Sequence, residues 1–165
     1  MGSSLSAGVA LTVAAAAIGA TATATPAAAS DYEGPRPLAG AVQYVKAGEA
    51  TWVRAYWTTR RDICDAQVTV AGKNVKVVYP DNTGTYTSFR RGATLAAGRA
   101  DYTAFKVTAR ADSSRAAKLA VTITYTLLPK KTFKPGVDPE DVDCDGKERA
   151  RLTWITLPVI VDQDD

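Results

Sequence analysis

The sequence predicts an all-β protein, an antiparallel sandwich of about seven to eight strands. Three observations carry this. In residues 118–127, Leu119, Val121, Ile123, Tyr125 and Leu127 share one face, while Ala120, Thr122, Thr124 and Thr126 share the other. That is the period of a half-buried strand. Short β-prone runs recur between clusters of turn residues along residues 38–165, and no capped helix-period segment interrupts them. A small closed barrel is the alternative arrangement of the same strands.

The elements follow in order. Residues 31–37 hold Gly34, Pro35 and Pro37 and read as an exposed, flexible lead-in beginning at Ser30. Residues 41–45 form the first expected strand, stopped by Gly48, and residues 51–59 the second. Residues 66–70 and 74–79 flank Gly72-Lys73 as a hairpin. A turn cluster at 80–84 leads to a short strand at 86–89 and a turn-like stretch at 93–98. Residues 101–111 alternate, with Phe105 and Val107 set between Lys106, Thr108 and Arg110. After a turn at 112–115 and the strand at 118–127, residues 130–146 form a polar connection. The last strand spans 149–161. There Leu152 and Trp154 have the opposite parity to Leu157, Val159 and Val161, which predicts a bulge near Pro158 or a strand buried on both faces.

Residues 1–29 contain no Asp, Glu, Lys or Arg and end in Ala27-Ala28-Ala29. An apolar stretch followed by small residues predicts a secretory signal peptide cut after Ala29, although the customary basic residue near its start is missing. The expectation is a secreted, extracellular protein with no membrane span once the signal is removed. In that compartment Cys64 and Cys144 are expected to pair. The bond would close a loop of about 80 residues, worth roughly 4–5 kcal/mol by chain entropy.

The chain has no histidine. Ser-His-Asp and Cys-His catalysis are excluded, and so are histidine-containing zinc sites. A carboxylate pair could still act as a hydrolase, but no two of the Asp and Glu residues stand out. Asp141, Asp143 and Asp145, followed by Gly146, match the first half of a calcium loop. Leu152 stands where such a loop needs its bidentate Glu, so a solvated acidic loop is the competing reading. No other cofactor is expected. In residues 52–57, Trp52, Arg54 and Tyr56 share one strand face and Val53, Ala55 and Trp57 the other. If the second face packs inward, Trp52, Arg54 and Tyr56 form an exposed ligand-binding face suited to a sugar or a protein. Positive residues outnumber Asp101 and Asp112 in the segment 99–134, a feature that suits an anionic polymer or simply guards strand edges. No nucleic-acid motif accompanies it.

Leu95-Ala96-Ala97-Gly98, followed by the strand to Arg110, a polar turn and the strand from Leu119 to Tyr125, resembles the second half of bacterial extracellular immunoglobulin-like modules of the CARDB and NEW3 type. With the Ala/Thr-rich leader, the chain also resembles small secreted actinobacterial proteins. The resemblance implies an immunoglobulin-like β-sandwich and an adhesive or spacer role, and it carries no catalytic residues across. The expectation is a non-catalytic binding or structural module of the cell envelope or extracellular space, with an envelope polymer, a glycan or another protein as partner. A small carbohydrate-binding module is the alternative.

Overall fold

Strands make up all the regular structure of the computed structural model, which describes residues 32–110, 115–129, 133 and 143–161. They are β1 (Arg36–Pro37), β2 (Val45–Lys46), β3 (Thr51–Thr58), β4 (Ile63–Gly72), β5 (Val75–Val78), β6 (Ala100–Ala109), β7 (Ala116–Leu127) and β8 (Glu148–Ile160). The expected signal segment, Asp141 and most of the polar connection lie outside the described residues.

Hydrogen bonding runs in the order β1-β3-β6-β5-β4-β7-β8-β2. β4 and β5 meet at the register pair Gly72↔Val75, in their hairpin. Beyond it they diverge, so the ribbon folds into two layers, β1-β3-β6-β5 and β4-β7-β8-β2. Alternate residues of each layer face the other. Val53, Ala55 and Trp57 of β3 and Phe105 and Val107 of β6 meet Val68, Val121, Ile123, Ile155 and Leu157, all buried. Burying each large apolar side chain contributes about 1.5–3 kcal/mol. The Trp57 indole donates to Thr103 Oγ1 at 3.0 Å, so the polar atom it carries into the core is satisfied. The protein is an all-β, two-layer sandwich.

Several elements depart from the sequence reading. Arg36–Pro37, inside the expected lead-in, pairs with the edge of β3, a position that tolerates proline. The expected strand at 41–45 reduces to a bridge at Ala41, with β2 following. β4 begins three residues earlier than the alternation suggests. Asp65, at φ 53°, sits in a register shift between Cys64 and Gln67 that breaks the period. The hairpin turns at Lys73-Asn74, where Asn74 adopts φ 60°. Gly72 stays in the strand, paired with Val75 and Leu119, and a Cβ there would strike the Leu119 side chain. β8 pairs with β7 without a register shift from Pro158 to Glu148, so there is no bulge at Pro158. Nor is the strand buried on both faces. Ile155, Leu157 and Val159 fill the core, while Leu152 and Trp154 face out.

Irregular chain covers the edges of β3 and β4 and the second half of β8. On β3, Leu38 N–H donates to Tyr56 O at 2.8 Å. The Gln43 amide then acts as a substitute peptide group, donating from Nε2 to Trp52 O (2.6 Å) and accepting from Arg54 N–H at Oε1 (3.3 Å). On β4, Val70 N–H donates to the Tyr79 hydroxyl at 2.7 Å. Val68 exchanges both its backbone bonds with Thr87, Ala66 N–H donates to Ala93 O, and Ile63 exchanges both with Leu95. On β8, Thr156 N–H donates to Gly40 O and Thr156 O accepts from Val42 N–H, while Val45 pairs in parallel with Val159.

The Leu95–Gly98 motif has a physical basis. Leu95 is buried in the core. Ala97 N–H donates to the buried Asp62 carboxylate at 2.7 Å. Gly98, at φ 72°, gives its N–H to Thr59 O and turns the chain into β6. The other Asp62 oxygen accepts from Phe133 N–H at 3.0 Å, so one carboxylate holds two loops. At the same end, Arg61 pairs with Glu33 (3.2 Å) and donates to Leu128 O (2.6 Å).

Cys64 and Cys144 form a disulfide with Cα atoms 6.0 Å apart, closing a separation of 80 residues. The double substitution Cys64→Ala, Cys144→Ala is expected to lower unfolding free energy by about 2–5 kcal/mol, read from urea denaturation. Nearby, the Tyr32 and Tyr125 hydroxyls share a hydrogen bond of 2.9 Å. Burial, then that bond, pushes the Tyr125 phenol well above its ordinary value of 10.0, with Arg149 and Arg151 opposing. An unfolded chain therefore loses this proton first as pH rises. The stabilisation is complete below about pH 10 and is lost above it. Urea midpoints at about pH 9 and about pH 11 should show a smaller alkaline loss in Tyr125→Phe than in the parent protein.

Candidate functional site

The outer face of the β3-β6 layer interleaves aromatic rings with cations. Trp52 and Tyr56 are 45% and 47% exposed, with Arg54 exposed between them. The register sets their neighbours on β6: Trp52↔Lys106, Arg54↔Ala104 and Tyr56↔Tyr102. Each pairing has a consequence. The Lys106 ammonium stands 5.1 Å from the Trp52 ring centroid. The small side chain of Ala104 lets the Arg54 guanidinium lie over Tyr102, at 4.8 Å. Tyr56 and Tyr102 pack tilted, with centroids 5.6 Å apart. Cation–π contacts of this kind are worth about 0.5–1 kcal/mol at exposed sites.

Two further arginines reach this face from irregular chain. Arg90 N–H donates to Tyr102 O at 2.9 Å, and Arg91 N–H donates to an Asp101 carboxylate oxygen at 3.2 Å. The other Asp101 oxygen accepts from Tyr102 N–H at 2.8 Å. The buried carboxylate thus anchors backbone beneath the site. Arg54, Tyr56, Arg90, Arg91 and Tyr102, with Ala100 and Asp101, line a cleft of about 460 Å³. Among the described residues no carboxylate pairs with the guanidinium of Arg54, Arg90 or Arg91.

The structure places Trp52, Arg54 and Tyr56 on one exposed face and adds Arg90, Arg91 and Tyr102. The arginines come from a loop, so no local pattern announces them. Cys64, Asp65 and Cys144 have their ligand atoms within 4.8 Å of one another. The two sulfurs are bonded to each other and offer no thiolate to a metal. Asp143 and Asp145 are exposed on either side of Cys144, and Asp141 lies outside the described residues. Two buried carboxylates, Asp62 and Asp101, are both engaged with backbone N–H groups.

The opposite layer carries exposed apolar residues that the sequence reading did not single out as a site. Leu152 and Trp154 are 55% and 60% exposed. Trp154 borders a cleft of about 610 Å³ lined also by Ala71, Lys73, Lys118 and Ala120. The change of parity after Trp154 was the available signal.

No model of a protein family matches this sequence, and no curated protein matches it. Among solved structures, the chain is similar to the GAE domain of GGA2p from Saccharomyces cerevisiae at 10% identity and TM-score 0.41, covering 71% of this chain and 84% of that one. It is also similar to the ASH / PapD-like domain of human CEP192, at 8% identity and TM-score 0.35, covering 80% and 89%. A third is AvmM, which catalyses macrocyclization in alchivemycin A biosynthesis, at 12% identity and TM-score 0.32, covering 73% and 90%. These similarities bring no site residue to this chain.

Proposed function

We propose that the protein is an exported, non-catalytic binding module that holds an acidic glycan of the cell envelope or extracellular space on the outer face of β3 and β6. The observation that carries this reading is the cleft in which Arg54, Arg90 and Arg91 stand around Tyr56 and Tyr102, none of the three guanidinium groups ion-paired among the described residues, while Asp101, the carboxylate in its lining, accepts backbone N–H groups. A guanidinium offers a planar fork that matches carboxylate or sulfate. The neighbouring rings offer a sugar its stacking surface. Export is supported by the uncharged leader ending in Ala27-Ala28-Ala29 and by the disulfide. An adhesive role, as in the bacterial modules that the Leu95–Gly98 motif resembles, is compatible with a rigid two-layer scaffold carrying the site.

Two measurements test this. The parent protein is expected to bind a soluble polyuronate saturably and to bind a neutral polysaccharide far more weakly. Arg54→Ala and Tyr56→Ala should each weaken polyuronate binding about 10-fold while lowering the melting temperature by no more than a few degrees, the loss of the ring contacts on Tyr102. Equal binding of both polymers, or no effect of either variant, defeats the reading. Separately, protein recovered from the culture medium of an expressing bacterium should begin at Ser30 by N-terminal sequencing. Retention of residues 1–29 on the recovered protein removes the argument from the leader.

A further inference from the structure

The first half of β8 keeps an open hydrogen-bonding edge. Val159 N–H bonds Arg115 O on the β7 side, whereas Thr156 N–H bonds Gly40 O and Ile160 O bonds Ala47 N–H on the other side. Odd-numbered residues of β8 therefore turn their backbone groups toward β7, and even-numbered ones turn theirs away. The strand holds register throughout, so this parity extends to Glu148, Ala150, Leu152 and Trp154. The 40–47 segment covers only the second half, from Thr156 onward. Among the described residues nothing pairs with the outward backbone groups of Ala150, Leu152 or Trp154. Elsewhere the fold uses Gln43, Tyr79, Thr87 and Leu95 to close such edges, so an open run beside two large exposed apolar side chains stands out.

The geometry points to a strand-addition site: an extended peptide of a partner protein, alternating apolar and acidic residues, pairs with β8 along residues 148–154. Backbone pairing supplies affinity in this mode, and alternate side chains supply selectivity. Neighbours across a strand pair share a face. Apolar residues of the incoming strand would lie beside Leu152 and Trp154 on the outer face. On the other face stand Arg149, which is exposed, and Arg151, whose guanidinium lies 3.8 Å from the Tyr32 ring centroid. Acidic residues complement these two cations. A second copy of this chain is a poorer match, since pairing β8 with β8 would gather Arg149 and Arg151 of both copies on one face.

The probe is a capped synthetic peptide of about seven residues alternating valine and glutamate. It should bind saturably and slow amide exchange at Ala150, Leu152 and Trp154. A scrambled peptide of the same composition should bind at least about 10-fold more weakly, and a valine–arginine version likewise. Leu152→Pro is the diagnostic variant. The Leu152 N–H faces the open edge, so proline there removes no bond to β7. It should lose about 10-fold or more in peptide affinity, and Trp154→Ala should lose affinity without any backbone change. Arg54→Ala should leave peptide binding unchanged, which separates this site from the glycan face. Equal binding of alternating and scrambled peptides, or no amide protection, overturns the proposal. So does sedimentation of the protein alone as a dimer that Leu152→Pro dissociates, since the edge then belongs to a second copy. If Leu152→Pro lowers the melting temperature, amide protection and Trp154→Ala decide.

Discussion

The edge of β4 is the constraint on which much of this structure depends. A sheet edge presents backbone groups that must find partners when they are buried. β4 has β7 on one side, but past Gly72 it loses β5 on the other. Its outward groups are met singly, by the Tyr79 hydroxyl, Thr87, Ala93 and Leu95. To reach them the chain must run along the side of the sandwich between β5 and β6. That path explains why residues 79–98 are irregular yet ordered, and why bridges rather than a strand occur at Thr87 and Phe89.

The same path builds the cationic face. While crossing from β4 toward β6, the chain turns at Phe89–Gly92 and sets Arg90 and Arg91 beside Tyr102. Asp101 holds that turn through Arg91 N–H and takes Tyr102 N–H of β6 on its other oxygen, so its charge serves as an acceptor for amides beside the arginines. The site therefore combines regular and irregular chain. β3 and β6 supply rings and Arg54 at fixed spacing, and the edge-sealing segment supplies the remaining cations. A local need for hydrogen-bond partners and the placement of ligand-facing charge are met by one stretch of chain.

How much of this could be read from the sequence varies by element. β7 was legible, because its alternation is unbroken and buried on one side. The two faces of β3 were legible for the same reason, with Trp57 inward and Trp52 and Tyr56 outward. The start of β4 was hidden, since Asp65 at positive φ breaks the period that would have announced Ile63 and Cys64. β8 misled, because apolar residues on an exposed face look like core residues in a pattern. Leu152 and Trp154 had the parity of the solvent side, but parity says nothing about whether that side is covered. Arg90 and Arg91 join Arg54 through contacts between segments far apart in sequence, which no local spacing encodes.

The parallel pairing of β2 with β8 has a mechanical consequence. Chain comes alongside β8 at Ala41, runs on into β2 and leaves β8 at Ile160, while the two strands run side by side in the same direction. Tension that drew the two ends apart would slide these strands past one another. The bonds at Val42, Thr156, Ala47 and Ile160 would then share the load together, rather than opening one after another. Cys144, just ahead of β8 and bonded to Cys64, would check how far the second strand could slide before force reached a covalent link. A sandwich joined in this way resists traction along its length.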